Sequence, residues 1–290
     1  MNQLHLLDGT FELFRSHFGA PSRNSPEGME VGATHGLLAS TLALLSMAGV
    51  THIAAAFDTV IESFRNKMFA GYKTGEGVPP ELRAQFELAE EGMRCMGITV
   101  WSMVEQEADD GLAAAAVKFA PRVERVVIMS PDKDLAQLYG NPKIVGYDRR
   151  QSSFIDADEV RQKFGVAAES IPDYLALVGD SADGIPGLSG WGAKSSATLL
   201  SCYSHIEAIP DSALDWKPKV RGAEKLATTL RAHRCTALFY RELATLRTDA
   251  EIPQTLEDLR WRGAHRVRFH EFCERLGFGK LKDRPHRWQN

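Results

Sequence analysis

No run of the sequence approaches the roughly 18 apolar residues that a membrane helix needs, so no helical span is predicted. Cysteine is scarce. Cys95, Cys202, Cys235 and Cys273 are widely spaced and form no C-x-x-C pair. That spacing excludes a disulfide framework and predicts reduced thiols in a cytoplasmic protein. There is no H-E-x-x-H, no Cys/His spacing suited to zinc, and no G-x-x-x-x-G-K-S/T phosphate loop. Zinc sites and nucleoside-triphosphate chemistry are therefore not expected. The first residues, Met1-Asn2-Gln3-Leu4-His5, lack the basic start and long apolar stretch of a secretory leader. Solenoid repeats and low-complexity tracts are missing too. Nor is there an excess of positive charge, since 34 Lys and Arg face 38 Asp and Glu, a net −4. What remains is 290 residues, 44% apolar and 25% charged. That is the composition of a globular protein with one large domain or two modest ones.

Up to about residue 155, short β-like runs alternate with helical ones. Leu4 to Leu7, His52 to Phe57, Ile98 to Trp101, Arg125 to Met129 and the weaker Ile144 to Tyr147 read as strands. Segments such as Gly36 to Ala48 and Asp109 to Ala120 read as helices between them. The alternation predicts an α/β fold with a mostly parallel central sheet covered on both faces. The connection from Ser63 to Met96 is long for such a fold. It holds Gly71, Gly75, Gly77 and Pro79-Pro80, then Leu82, Phe86, Ala89 and Met93 at helical spacing. Further on, Asp158 to Phe164, Pro172 to Val178, Ala193 to Leu200, Glu224 to Ala232 and Thr236 to Leu246 read as helices. No convincing strand follows Ile155. Residues from about 166 onward read as a helical second lobe.

In an open parallel sheet, ligands sit beyond the carboxyl ends of the strands. Three strand candidates end on an aspartate there: Asp8, Asp58 and Asp132, with Asp134 two residues on. Glu107, Asp109 and Asp110 stand at a helix start, and Asp180 and Asp183 in the turn Gly179 to Gly184. Taken singly, each is ordinary: a turn former, an N-cap, a complement to a helix dipole. Gathered at one edge, nine carboxylates repel one another unless cations compensate. Hard divalent ions with oxygen ligands are the natural compensation. A pair of magnesium ions about 3.5–4 Å apart suits in-line hydrolysis of a phosphodiester. The set is read as a two-metal site. Without those nine negative charges the net −4 becomes +5, which is compatible with a phosphate-binding surface.

The stretch Ile185-Pro186-Gly187-Leu188-Ser189-Gly190-Trp191-Gly192-Ala193-Lys194 separates two helical segments. It has the pattern of a helix-hairpin-helix element. Gly187, Gly190 and Gly192 would let the backbone approach a phosphate, the next helix offers free N–H groups, and Lys194 supplies charge. A plain glycine-rich turn between packed helices is the equal alternative on these residues alone.

Together these segments resemble the 5′-nuclease (flap endonuclease) family, which includes the 5′→3′ exonuclease domain of bacterial DNA polymerase I and stand-alone relatives. The resemblance is carried by Leu7-Asp8-Gly9-Thr10, Ala56-Phe57-Asp58, Phe64-Arg65, Gly71-Tyr72-Lys73, Glu107-Ala108-Asp109-Asp110, Asp132 to Gln137, and Tyr174 to Gly187. It implies a PIN/resolvase-like catalytic domain over 1–165, with a helical arch at about 63–96. A helical DNA-binding lobe with the helix-hairpin-helix would occupy 166–290. Asp8, Asp58 and Glu107 would hold the first metal, Asp109 would bridge, and Asp132, Asp134, Asp180 and Asp183 would surround the second, with Asp110 nearby. The implied ions are Mg2+, with Mn2+ as a substitute, and K+ at the hairpin. Lys73 would contact the scissile phosphate, Tyr72 would stack on a base, and Arg65 would bind the backbone.

There are departures from the family pattern. Glu76 lies where relatives often carry a second basic residue, which leaves Arg83 as the candidate substitute. Pro131 and Gly184 replace residues that are commonly Gly and Asn. The resemblance implies a divalent-metal-dependent 5′-3′ exonuclease and 5′-flap endonuclease in DNA replication or repair. It would act as a monomer on DNA with 5′ single-strand/duplex junctions, alone or beside a separate DNA polymerase. A non-catalytic DNA-junction binding protein and a PIN-type ribonuclease are the alternatives. The full carboxylate set disfavours the first, and the helical lobe disfavours the second.

Overall fold

A computed structural model describes residues 2–47 and 49–289. The chain runs through β1 (Gln3–Asp8), α1 (Gly9–Gly19), α2 (Gly32–Leu45), β2 (His52–Asp58) and α3 (Phe64–Met68). It continues with α4 (Pro80–Arg83), α5 (Phe86–Cys95), β3 (Thr99–Met103), α6 (Ala108–Phe119) and β4 (Arg125–Met129). Then come β5 (Ile144–Asp148), β6 (Ser153–Ile155), α7 (Ala157–Phe164), α8 (Ile171–Val178) and α9 (Ala193–Tyr203). Last are α10 (Ala223–Ala244), β7 (Ala264–His265), α11 (Arg266–Arg275) and β8 (Trp288–Gln289). Two units divide these elements. The first contains residues 1–63, 75–130 and 247–290, and the second contains 64–74 and 131–246.

The first unit is built on a parallel sheet in the order β3-β2-β1-β4. Leu4 pairs with His52 and with Val126, and Ala54 pairs with Thr99. All of β2 but its final aspartate is buried. Successive strand residues point to opposite faces, so both faces of the sheet are covered, as an apolar parallel strand requires. α6 lies along all four strands. Its run Ala113 to Ala116 is buried, and these small side chains allow the helix to approach closely. The apolar stripe Leu82, Phe86, Ala89 and Met93 is buried as well. The helix that carries it is split at Ala84-Gln85 into α4 and α5, and α5 packs on α1, α2 and β3. Phe69 to Pro79 has no regular helix or strand. The helix expected from Gly36 forms one turn earlier, over Gly32–Leu45, and the expected Ala48 end lies outside the described residues.

The second unit pairs β5 with β6 in antiparallel fashion and is otherwise mainly helical. Asp156 starts α7 by accepting the N–H groups of Asp158 (2.8 Å) and Glu159 (3.2 Å). Gly165 ends it in the left-handed region at φ 73°. The expected helices at Glu224–Ala232 and Thr236–Leu246 join into one, α10, with non-helical backbone at His233 where they meet. The expectation of no strand after Ile155 is corrected by β7 and β8. They pair over two residues each, too short to leave a periodic signature. No helix among the described residues is long and apolar enough to cross a membrane.

Candidate metal and nucleic-acid site

In the first unit, Asp8 and Asp58 end neighbouring parallel strands, so both stand at the carboxyl edge of the sheet. Asp8 caps α1 by accepting the Phe11 N–H at 2.8 Å, and its other oxygen accepts the Ser130 hydroxyl at 2.8 Å. Asp58 Oδ1 accepts the Ala108 N–H at 2.7 Å, at the start of α6, while its own N–H donates to Thr10 Oγ1 at 2.7 Å. Glu107 is buried at the N-cap of α6 and accepts the Ser63 hydroxyl at 2.7 Å. Asp110 is fully buried. It accepts the Glu107 N–H at 3.0 Å on one oxygen and the Arg247 N–H at 2.8 Å on the other. Asp109 is half-buried beside it. The cap reading and the ligand reading of these residues are thus compatible, because the caps set the direction of the carboxylates.

In the second unit, Asp134, Asp180 and Asp183 are all buried, and each offers an oxygen within 4.8 Å of the others. Asp134 Oδ1 has no hydrogen-bond partner. A buried acceptor without a donor is costly, and three carboxylates around it make the cost larger. Burial first, then the charges of Asp132, Asp183 and Asp180, push the Asp134 carboxyl well above its usual value, and Lys133 opposes them. Asp132 accepts the Asp134 N–H at 2.9 Å. Although much of that residue's surface is exposed, desolvation of its carboxyl and the Asp183 charge push it up too. Two lysines offset part of the repulsion: Lys73 lies 2.9 Å from Asp183, and Lys133 lies 2.6 Å from Asp180. A compact set of hard oxygen donors with one unsatisfied acceptor fits a divalent cation.

The turn that presents Asp180 and Asp183 is closed by Asp180 N–H to Ile185 O (2.7 Å) and Ile185 N–H to Asp180 O (2.8 Å). Gly184 sits in it at φ 76°, and a Cβ there would lie 2.2 Å from the Gly71 carbonyl oxygen. Beside it, the Lys73 N–H donates to Asp183 O at 3.0 Å. Glycine at 184 therefore lets residues 71–73 dock on the turn and sets Lys73 against Asp183. Replacing Gly184 by Ala or Asn is expected to cost about 2 kcal/mol or more from strain and forced separation. Chemical denaturation would show this as a lower midpoint.

Gly187, at φ 70°, faces the backbone of the preceding helix end, 2.5 Å from Gly179 N at its Cβ position. It is a packing glycine. A Cβ at Gly192 would meet nothing within 4 Å, and one at Gly190 only Leu226 at 3.9 Å. These two leave open space in front of the N-terminus of α9, where Lys194 is exposed. The Ser195 hydroxyl bonds both the N–H and the carbonyl of Gly192.

Arg65 and Tyr72 are corrected. Arg65 is 1% exposed, and its guanidinium donates to the carbonyls of Leu243 (2.8 Å) and Thr245 (3.1 Å) at the end of α10. It clamps a helix C-terminus, where its charge also complements the dipole. Tyr72 is 4% exposed, with Lys73 Nζ 5.6 Å from its ring centroid, so no base can lie on it in this conformation. Arg83 is exposed at the end of α4; with the Gly75 N–H as the larger cause, it holds Glu62 below its usual pKa.

Sequence reasoning missed Thr10, Ser63, Ser130 and Lys133. Ser130 directly follows β4 and Thr10 stands two residues beyond the end of β1, a placement that could have marked them as partners of the terminal aspartates. Ser63 carries no such signal.

A family model described as the 5′-3′ exonuclease N-terminal resolvase-like domain matches residues 3–165. One described as the 5′-3′ exonuclease C-terminal SAM fold matches residues 166–267. A 5′-3′ exonuclease of Aquifex aeolicus is 32% identical over 261 residues, covering 90% of this chain and 87% of the relative. DNA polymerase I of Mycobacterium leprae is 34% identical over 287 residues, or 97% of this chain. The chain spans only 31% of that polymerase's length. In fold, the chain matches a bacteriophage T5 flap endonuclease in a pseudo-enzyme-product complex with DNA and metal ions. The TM-score is 0.68 at 19% identity, covering 95% of this chain and all of that one.

Proposed function

The chain belongs to the 5′-3′ exonuclease family and is a nuclease, and from that premise we propose that it hydrolyses DNA at 5′ single-strand/duplex junctions, both as an exonuclease and as a 5′-flap endonuclease. The observation that supports this most is the unsatisfied buried oxygen of Asp134 between Asp180 and Asp183. On this reading Asp134, Asp180 and Asp183, with Asp132 beside them, hold one divalent ion. Asp8, Asp58, Glu107 and Asp109 hold another, and Asp110 orients Glu107. The ions are Mg2+, with Mn2+ as a substitute, in a two-metal reaction.

Bound there, a divalent ion lowers the pKa of a water molecule and neutralises phosphate oxygens. The chain's own groups do the rest. Ser63 and Ser130 fix the Glu107 and Asp8 carboxylates, and Thr10 anchors the Asp58 backbone. Lys73, leaving Asp183 when that carboxylate takes a cation, offers its ammonium to the scissile phosphate. Gly190, Gly192 and Lys194, with the N–H groups that open α9, take a backbone phosphate of the duplex without reading sequence. K+ at the hairpin belongs to the same reading.

Residues 1–165 act as the catalytic domain and 166–290 as the lobe that grips the duplex. The protein works as a cytoplasmic monomer in replication or repair, beside a separate DNA polymerase. Purified protein is expected to cut a 5′-flap duplex with Mg2+ and to stop on addition of EDTA. A sample inert on flaps, nicks and gapped duplexes, with Mg2+ and with Mn2+, would overturn the reading.

A further inference from the structure

Charge is distributed unevenly along the chain. Residues 260–290 hold nine Lys and Arg against three Asp and Glu, in a sequence whose net charge is −4. This segment belongs to the first unit, and most of it lies beyond residue 267, where the second family match ends. There a cleft of about 520 Å³ is lined by Arg94, Arg260, Arg262, Arg268 and His265. Its volume lies within the roughly 300–1,000 Å³ of small-ligand sites.

Two carboxylates, Glu257 and Asp258, also line it and offset only part of the charge of the four arginines. Glu257 is shared, 2.9 Å from Arg262 and 3.8 Å from Arg260. Asp258 Oδ2 is occupied by the N–H and hydroxyl of Thr255, at 2.8 and 2.7 Å. Arg94 is paired with Glu90 at 2.9 Å. Arg268 has no ion-pair partner among the described residues. The surplus is felt locally: burial and then Arg268 hold His265 below its usual pKa, and burial and then Arg260 do the same to His52.

We propose that this cleft is a phosphate-binding site that takes the backbone phosphates of a nucleic-acid strand. Guanidinium groups match phosphate oxygens two at a time, and several around one concavity focus a field on a polyanion. A free nucleotide or inorganic phosphate presents the same oxygens, so the test must separate the sources. The polymer comes first because the chain is read as acting on DNA. The binding assay nevertheless runs in EDTA and reads no cleavage, so this proposal and the nuclease reading fail separately.

The experiment measures fluorescence anisotropy of labelled duplex and single-stranded DNA over about 50–200 mM salt. It compares the wild type with Arg268→Gln and with the triple variant Arg260→Gln/Arg262→Gln/Arg268→Gln. Removing one arginine that neutralises a phosphate lowers the slope of log affinity against log salt by about 0.9. The triple variant is expected to lose about 2–3 from the slope and about tenfold in affinity. If the triple variant melts early, Arg268→Gln alone decides, with a slope smaller by about 0.9. Calorimetry with inorganic phosphate and with dCMP forms the second arm. Equal DNA slopes, with heat of binding in the wild type that the variants lose, assign the cleft to the free ligand. Equal DNA slopes and no heat in any protein overturn the proposal.

Discussion

The Asp134→Asn variant is expected to lose about 10³-fold or more in flap cleavage and yet, without metal, to melt at a higher temperature than the wild type. The loss follows from removing one anionic oxygen from a hard-cation site. Several kcal/mol of transition-state charge stabilisation depend on that ion, and about 4 kcal/mol corresponds to 10³. The gain in stability follows from the Asp134 carboxyl itself, buried among Asp132, Asp180 and Asp183. A carboxyl whose pKa rises on folding holds its proton more tightly in the folded state. Its stabilisation is complete below the ordinary value of 3.8 and is lost as pH rises through the raised one. The metal-free wild type therefore loses stability over that window, and the variant escapes this part of the loss. Mn2+ should raise the melting temperature of the wild type at neutral pH and much less that of the variant. Melting curves from pH 4.5 to 8, with and without about 1 mM Mn2+, check the direction, because divalent binding stabilises by mass action. Wild-type cleavage by the variant would remove Asp134 from the metal site.

Arg65→Ala is expected to act on folding rather than on DNA. Two backbone carbonyls at the end of α10 lose their charged donor, and the vacated space is buried. Breaking buried charged interactions costs about 3–5 kcal/mol. For a protein of this size that lowers the melting temperature by about 6 °C or more. Arg65→Lys should recover little, because one ammonium does not reproduce a planar fork. Had Arg65 bound a backbone phosphate, its removal would weaken DNA binding in a salt-dependent way and leave the melting temperature alone.

The strands and their terminal aspartates were legible because a buried parallel strand writes a continuous apolar run, and Asp8 and Asp58 break theirs at the sheet edge. The Ser63–Met96 insertion was visible by length. That its apolar stripe is buried with α5 packed on α1, α2 and β3 was not, because an amphipathic helix reads the same whichever surface covers it. Arg65 and Tyr72 were misplaced for a related reason. A motif fixes residue type and order, while burial depends on what the rest of the fold brings against a residue, for Arg65 the end of α10. Gly184 shows the converse, since the structure supplies the reason for glycine, a carbonyl 2.2 Å from where a Cβ would stand. The hydroxyls of Thr10 and Ser130 were missed because a serine or threonine near a strand end is common and acquires meaning only from its partner, and Ser63 lies in a loop with no such position to mark it. β7 and β8 are held by pairing across the chain, which two residues cannot announce.

The most direct measurement is anomalous diffraction from crystals soaked in Mn2+. A manganese peak is expected within coordination distance of the carboxylate oxygens of Asp134, Asp180 and Asp183, with Lys73 or Lys133 withdrawn from its present partner. Manganese bound elsewhere on the protein, while those three carboxylates keep their lysine partners and no ion, would contradict a metal-dependent nuclease site there.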